Sequence, residues 1–268
     1  MVSDKRIRLD SLLAERGLYT SRSRAAAAVI AGDVHLGVGR RLAEKPGQLV
    51  AADVELDVTR PPPFVSRGGI KLANALDARD VPVAGRRCLD VGASTGGFTD
   101  CLLQRDAAHV VTLDVAYGEL HWSLRDHERV TVLERVNARR LMAQDLPYAP
   151  NLVVVDVSFI SLAKVLPALL ACVESARFDV LAMIKPQFEV GRERIGKGGV
   201  VRDPALRREA LAGVAAAALE AGTAVLGFAS SGLPGPKGNL ETFVHLAEAG
   251  RSGALTDFGA AIAEVEPT

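Results

Sequence analysis

The chain has 268 residues, 49% of them hydrophobic, and its 32 Lys and Arg balance 32 Asp and Glu. This length and apolar content suffice for one large domain, or for a small and a medium domain, each with a buried core. No apolar run is long enough to cross a bilayer, and the N-terminus lacks the apolar stretch of a secretory signal. We therefore expect a cytoplasmic protein and exclude a membrane protein.

The three cysteines, Cys88, Cys101 and Cys172, lie far apart in apolar segments and form no CxxC pair. Such residues are typical of buried core thiols, so we expect neither a redox site nor a bound metal. The charged residues are unevenly distributed, because residues 1–45 hold nine Lys or Arg against five Asp or Glu. This surplus is typical of a module that contacts phosphates, and equally of a solvated helix face.

The N-terminal segment reads as two short helices followed by strands. Leucines at helical spacing precede Gly17, and Ser21 is placed to cap a second helix that ends near Gly32. Alternating apolar residues over 34–38 and 54–58 predict strands. The proline run that follows can continue neither a strand nor a helix. We therefore place a first domain at 1–60 and a stiff linker at 61–66.

The remaining residues predict an α/β domain over 67–250, followed by a tail over 251–268. Apolar runs alternate with helix-compatible stretches, and this alternation is typical of a doubly wound, mostly parallel sheet. The predicted strands are 87–91, 109–115, 130–133, 152–157, 180–184, 223–229 and 241–246, and the predicted helices include 96–105, 161–173 and 204–221. We expect the last strand to be antiparallel. In this Rossmann-like architecture the ligand lies beyond the carboxyl ends of the strands.

A glycine-rich loop stands between a predicted strand and a predicted helix, in the segment Cys88 to Phe98. Small residues let the backbone approach a ligand, and the helix start offers free N–H groups. The candidate cofactor-binding residues here are Gly92, Ser94, Thr95, Gly96 and Gly97. Ser94 replaces the second glycine of a dinucleotide motif, which disfavours a nicotinamide cofactor. Asp90 suits a cationic or amine-bearing ligand, and S-adenosylmethionine is one.

Two polar residues end the next two predicted strands and extend this candidate site. Asp114 is placed where doubly wound nucleotide sites hold a carboxylate that accepts ribose hydroxyls. Asn137 is placed to bond the edge of an adenine. The alternative interpretation is that Asp90 caps a helix and Asp114 occupies a turn.

Two charged residues follow buried strands at the same predicted edge of the sheet. Lys185 ends one apolar run and Asp156 ends the run before it. Transfer of a methyl group to a ribose hydroxyl needs alignment and a proton acceptor, and a lysine or an aspartate at this edge can take part. Lys71 and Glu241 are further candidates, although from their positions alone they read as surface charges or salt-bridge members.

The sequence resembles the TlyA family of bacterial ribosomal RNA 2′-O-methyltransferases, some of which carry haemolysin names. The N-terminal part, through residues 8–18, 21–22 and 31–34, resembles the small RNA-binding fold named after ribosomal small-subunit protein four. The rest resembles an FtsJ-type methyltransferase through VSRGGIKL, LDVGASTGGFTDCLL, DVSFISL, IKPQFEVG and GPKGNLE. The linker departs from the family's Trp-Val element, because here it reads Pro63-Phe64-Val65.

The resemblance implies a catalytic set of Lys71, Asp156, Lys185 and Glu241, and it makes Lys71 and Glu241 catalytic candidates after all. It also implies S-adenosylmethionine as cofactor and cytidine of 16S or 23S ribosomal RNA, in ribosomal subunits, as substrate. The predicted RNA contacts of the N-terminal domain are Arg6, Arg8, Arg16, Arg22 and Arg24. DNA is not expected as a substrate, because it lacks the 2′-hydroxyl.

Three other functions are weighed against this one. An inactive methyltransferase-like assembly factor would have no need of the four catalytic residue types. A haemolysin would need an insertion-competent or strongly amphipathic segment, and the sequence has neither. A nicotinamide dehydrogenase is disfavoured by Ser94, and cofactor binding would decide it.

Overall fold

The computed structural model describes residues 6–19, 21–58 and 63–266. The chain divides into two compact units, Met1–Pro63 and Phe64–Thr268. Pro61 and Pro62 of the predicted linker lie outside the described residues. Residues 64–66, which we assigned to the linker, belong to the second unit, where the Val65 N–H donates to the Asp100 carboxylate at 2.8 Å.

The N-terminal unit contains the two predicted helices and five short strands. These elements are β1 (Arg6–Arg8), α1 (Leu9–Glu15), α2 (Arg22–Ala31), β2 (Val34–Leu36), β3 (Arg41–Leu42), β4 (Leu49–Ala51) and β5 (Leu56–Val58). Ser21 caps α2 by accepting the Arg24 N–H, and Gly32 ends that helix in the left-handed region. The predicted strand over 34–38 is too long, because Val38 lies in a turn with its side chain 93% exposed.

The second unit is the predicted doubly wound sheet with helices on both faces. Its elements are α3 (Arg67–Ala78), β6 (Arg87–Val91), α4 (Gly97–Gln104), β7 (His109–Asp114), α5 (Trp122–Arg125), β8 (Val130–Glu134), β9 (Leu152–Val155), α6 (Leu166–Leu170), β10 (Asp179–Ile184), α7 (Pro204–Glu220), β11 (Thr223–Ser230), β12 (Thr242–Glu248) and α8 (Gly259–Val265). The strand order is β11-β12-β10-β9-β6-β7-β8. Strand β12 is antiparallel to both neighbours, which confirms that prediction.

The strand order reverses between β6 and β9, which lie side by side and parallel. The chain runs from β6 outward to β7 and β8, and then returns to the other side of β6 as β9. The carboxyl ends of β6 and β9 therefore border a crevice, and this is the usual ligand position in such sheets. The glycine loop follows β6 and Asp156 follows β9.

Alternation along the strands builds a separate core on each face of the sheet. In β9, Val153 and Val155 join the core under α6 and α7, whereas Leu152 and Val154 join the core under α3 and α4. All three cysteines are free and buried, as predicted.

Three segments differ from the sequence prediction. Helix α3 was not predicted, because two consecutive glycines weaken its helical pattern. The predicted helix 161–173 is split into a 3₁₀ turn over 162–164 and the short α6, since Pro167 has no N–H with which to continue a preceding helix. The predicted tail belongs to the second unit, where α8 buries Ile262 against the core. Within the described ranges, no helix combines the length and apolar character needed to cross a membrane.

Candidate active site

The glycine loop is shaped by its protein neighbours. A side chain at Gly92 would collide with the Asp156 carbonyl, and one at Gly97 would collide with the Ser66 hydroxyl at the start of α3. Gly96 takes a left-handed conformation and faces leucine side chains around α5. These glycines allow the loop to pack against three other segments at once.

Asp114 and Asn137 meet the loop at the edge of one pocket. The Asp114 carboxylate accepts the N–H of Ser94 at 2.7 Å and the N–H of Ala116 at 2.8 Å, which orients it at the end of β7. The Asn137 side chain accepts the Arg139 N–H at 3.0 Å. Both residues line a pocket of about 350 Å³, together with Gly92 and Ser94.

The chemistry of the residues that line this pocket fits S-adenosylmethionine. The Asp114 carboxylate faces it and retains capacity to accept ribose hydroxyls. Leu113, Val136 and Ala138 supply apolar wall for an adenine ring. Asp156 lines the wall that this pocket shares with a second pocket.

Asp90 does not reach either pocket, which differs from its predicted contact with the ligand. Its side chain is fully buried, and one carboxyl oxygen accepts the Thr99 hydroxyl at 2.6 Å. Burial, together with nearby Asp156 and Asp114, raises the pKa of Asp90 to about 7 against the opposing Thr99 hydrogen bonds. Asp90 therefore holds the start of α4 in place. This position is close to the alternative interpretation, in which Asp90 caps a helix.

The four candidate catalytic residues line the second pocket, which has a volume of about 420 Å³. Lys71 forms an ion pair with Glu241, and Lys185 forms one with Asp156. The Lys185 ammonium also donates to the Ser158 hydroxyl at 2.9 Å. Lys71 and Glu241 are only 7% and 3% exposed, so of the two interpretations that their positions suggested, a surface charge is wrong and membership of a salt bridge is confirmed.

The glycine loop borders this second pocket as well. Thr95 and Gly97 lie in its wall, along with Gly92 and Ser94, which it shares with the first pocket. The geometry thus places a cofactor-sized pocket directly beside a pocket that carries two lysines and two acids. Gly96 lies in neither wall, and its role is to pack against α5.

Comparison with known proteins agrees with this geometry. Residues 64–248 match the model of the FtsJ-like methyltransferase family. Over 90% of both chains, the sequence is 50% identical to the "16S/23S rRNA (cytidine-2'-O)-methyltransferase TlyA" of Mycobacterium tuberculosis. The chain belongs to the FtsJ-like methyltransferases and, within them, to the TlyA family. It is accordingly a methyltransferase.

Other members of the TlyA family carry haemolysin names. The chain is 36% identical to "Hemolysin A" of Brachyspira hyodysenteriae, over 89% of this chain and 99% of that one. A solved structure from Streptococcus thermophilus with a hemolysin name is 37% identical and has a TM-score of 0.72, covering 97% of this chain and 94% of that one. The fold described above is therefore also the fold of that solved structure.

Sequence reasoning missed an aromatic residue that lines the cofactor-sized pocket and a third pocket beside it. Phe159 is 91% exposed, has a φ of 66°, and its ring centroid lies 5.4 Å from that of Phe188. Together with Lys185 and Glu241, both rings line a third pocket of about 300 Å³. The one available signal was an aromatic residue directly after a predicted strand and a candidate catalytic acid.

The five arginines predicted to bind RNA fall into two groups. Arg8 and Arg22 contact the buried Asp10 at 2.7 and 3.1 Å, and Arg16 donates to two main-chain carbonyls at 2.8 and 2.5 Å. Arg6 and Arg24 are exposed. Three of the five arginines thus also hold the N-terminal unit together, a function that the sequence interpretation did not foresee.

Proposed function

We propose that this protein transfers a methyl group from S-adenosylmethionine to the ribose 2′-hydroxyl of a cytidine in 16S or 23S ribosomal RNA. The observation that carries the proposal is the convergence of Lys71, Asp156, Lys185 and Glu241 on one pocket that shares walls with a cofactor-sized pocket. The printed activity of the Mycobacterium tuberculosis relative supports the choice of substrate. Since that substrate is ribosomal RNA, we place the activity in the cytoplasm.

The cofactor would be held by Asp114 and Asn137 on the nucleoside side and by the loop from Gly92 to Gly97 on the methionine side. S-adenosylmethionine supplies an electrophilic methyl group on a sulfonium. Asp90 contributes indirectly, since it holds the first turn of α4 through Thr99.

The catalytic residues would align the ribose oxygen and manage its proton. Lys185 is positioned by Asp156 and Ser158, so its ammonium can orient the hydroxyl and stabilise negative charge on the oxygen. S-adenosylmethionine would supply the methyl group, and the hydroxyl proton would pass to the Asp156 carboxylate and then to water, because the Lys185 ammonium has no lone pair with which to accept it. The buried Lys71–Glu241 pair completes the charge arrangement of the pocket.

The RNA would reach the pocket as an unstacked nucleotide. A ribose hydroxyl within a helix is enclosed by stacked neighbours, whereas a nucleotide turned out of its stack can enter a pocket with its base resting on an aromatic ring. Phe159 is an exposed ring in the wall of the third pocket, which shares Lys185 and Glu241 with the catalytic pocket. We propose that the N-terminal unit, through Arg6 and Arg24 and the exposed faces of Arg8, Arg16 and Arg22, contacts phosphates and positions the substrate.

The experiment that tests the proposal measures transfer of labelled methyl from S-adenosylmethionine to purified 30S and 50S subunits that lack the modification. Wild-type protein should label at least one subunit, on a cytidine ribose. The variant Lys185→Ala should bind the cofactor normally and transfer no measurable methyl.

Two outcomes would contradict the proposal. If wild type binds cofactor and RNA but labels neither subunit, an assembly factor or another RNA substrate is favoured. If Lys185→Ala retains wild-type transfer, the assigned pocket does not carry the chemistry.

A further inference from the structure

Two loops that follow neighbouring parallel strands build one side of the catalytic pocket. One follows β9 and carries Asp156, Ser158 and Phe159, and the other follows β10 and begins with Lys185. Loops at strand ends are held less firmly than the strands, because they lack ladder hydrogen bonds. A reaction that needs alignment within a fraction of an ångström therefore needs a device that fixes one loop against the other.

Glu189 provides such a connection. It follows the 3₁₀ turn over 186–188, one turn beyond Lys185, and its side chain crosses to the loop after β9. One carboxylate oxygen accepts the Ser161 hydroxyl at 2.6 Å, and the other accepts the Leu162 N–H at 2.9 Å. Ser161 and Leu162 lie two and three residues after Phe159 in the chain.

The loop that Glu189 holds is in a conformation that needs support. Phe159 has a φ of 66°, which is costly for a residue with a side chain, and its ring is almost entirely exposed. Its ring packs against the loop after β10 through the ring of Phe188. The Glu189 contacts fix the chain two and three residues later, so they restrict the backbone on which Ser158 and Phe159 depend.

An ionised carboxylate is well suited to this position. The Ser161 hydroxyl and the Leu162 N–H are both donors here, and a carboxylate has an acceptor oxygen for each. An amide has one acceptor oxygen and would present an NH₂ group to one of the two donors. Hydrogen bonds to an ionised acceptor are also stronger than neutral ones.

We propose that Glu189 is a positioning residue for methyl transfer. It fixes the loop after β9 against the loop after β10, so that Asp156 and Ser158 meet Lys185 and Phe159 stays against Phe188. Glu189 does not touch the reacting atoms and acts through these residues. The inference rests on the proposed function, because it assigns Glu189 to the same pocket.

The experiment compares Glu189→Gln, Ser161→Ala and the double variant with wild type. We expect kcat for methyl transfer to fall roughly tenfold in each single variant, with little further loss in the double variant. The cofactor Kd should stay within about threefold of wild type, since the Asp114 and Asn137 contacts are untouched. Ser161→Thr keeps the hydroxyl and should retain about half of the activity or more.

A second readout does not depend on activity. Hydrogen exchange of the segment 158–164 should become about fivefold faster in Glu189→Gln than in wild type, because the Leu162 N–H loses part of its hold. Glu220→Gln is the matched control, since Glu220 is an exposed glutamate at the end of α7, before the start of β11. It should change neither kcat nor exchange.

The outcomes separate this inference from the proposed function. Unchanged exchange and unchanged kcat in Glu189→Gln would overturn the inference and leave the function standing. A lowered melting temperature with normal kcat at low temperature would also overturn it, because Glu189 would then be merely structural. Failure of wild type to methylate RNA would overturn the function, while faster exchange in the variant would still show that Glu189 holds the loop.

Discussion

Two buried aspartates, one in each unit, illustrate how differently the neighbours of a buried carboxyl can set its charge. Asp10 is 3% exposed and is surrounded by guanidinium groups, and its hydrogen bond with Arg8, aided by Arg22, lowers the pKa of its carboxyl to about 2. Asp90 is fully buried, has a threonine hydroxyl as its side-chain partner, and lies near two other carboxylates, so its pKa is raised to about 7. The comparison shows that neighbours, and not burial alone, decide the charge state.

The same contrast separates structural from functional charge. In the N-terminal unit, opposite charges are paired in ways that stabilise the fold. In the catalytic unit, Asp90, Asp114 and Asp156 crowd the carboxyl edge of the sheet, which costs stability and is typical of a site that handles ligands and protons. The predictions below test this division.

The largest effect is expected at Lys185. The variant Lys185→Ala removes the ammonium that orients the ribose hydroxyl, so kcat should fall by at least about 100-fold. Cofactor affinity should change little, because Lys185 does not line the cofactor pocket. Lys164→Ala, at an exposed lysine, is the matched control. If the two variants are equally active, the charged residues of the pocket do not carry the catalytic function.

The buried pair Lys71–Glu241 should matter for both stability and activity. Glu241→Gln leaves the Lys71 ammonium buried beside a neutral group, which should lower the free energy of unfolding by about 3 kcal/mol. The double variant Lys71→Met with Glu241→Gln should recover much of that stability but no activity. Chemical denaturation together with methyl-transfer rates measures both. Recovery of activity in the double variant would show that the pair serves the fold alone.

The two aspartates should give stability opposite dependences on pH. Because the folded pKa of Asp90 is above its unfolded value, its contribution is present below about pH 4 and is lost as the pH rises toward 7. In Asp90→Asn the free energy of unfolding should no longer fall over this pH range, whereas in wild type the fall should amount to a few kcal/mol. Thermal unfolding of wild type and Asp90→Asn from pH 5 to pH 8 measures it. Parallel curves for the two proteins would contradict the raised pKa.

For Asp10 the sign is reversed. Its folded pKa is below the unfolded value, so its contribution is present above about pH 4 and is lost as the pH falls toward 2. The protection of the amides of residues 6–19 against hydrogen exchange, taken relative to the intrinsic exchange rate at each pH, should therefore fall on acidification. Asp10→Asn should exchange faster already at neutral pH, and unchanged exchange there would contradict the stabilising role of the Arg8 and Arg22 contacts.

The smallest effects are expected among the N-terminal arginines. Arg8→Ala should lower the melting temperature of the unit slightly, because Asp10 loses a partner but keeps Arg22. Arg24→Ala should leave the stability of the unit unchanged. It should make the RNA affinity less dependent on salt concentration, by the amount that corresponds to the loss of about one phosphate contact. Binding titrations at several salt concentrations distinguish the two. An unchanged salt dependence in Arg24→Ala would remove it from the RNA surface.

Much of the fold follows from local pattern. Alternating strands and helices predicted the doubly wound sheet, and strand-end positions predicted that Asp156 and Lys185 would lie together, because carboxyl ends of parallel strands share an edge. Ser21 and Gly32 marked the ends of α2 by their capping chemistry. Such features depend on residues close in sequence, or on a rule of sheet geometry that any such sheet obeys.

The remaining features depend on partners that are distant in sequence. Asp90 stands at a strand end, but only the packing of α4 brings the Thr99 hydroxyl to its carboxylate. Lys71 lies on a helix that sequence periodicity did not predict, and it meets Glu241 across a separation of 170 residues. Periodicity determines which elements form, because it depends on neighbours along the chain. Which charges become partners is decided by tertiary packing, because burial leaves each charged group only the partners that the fold brings to it.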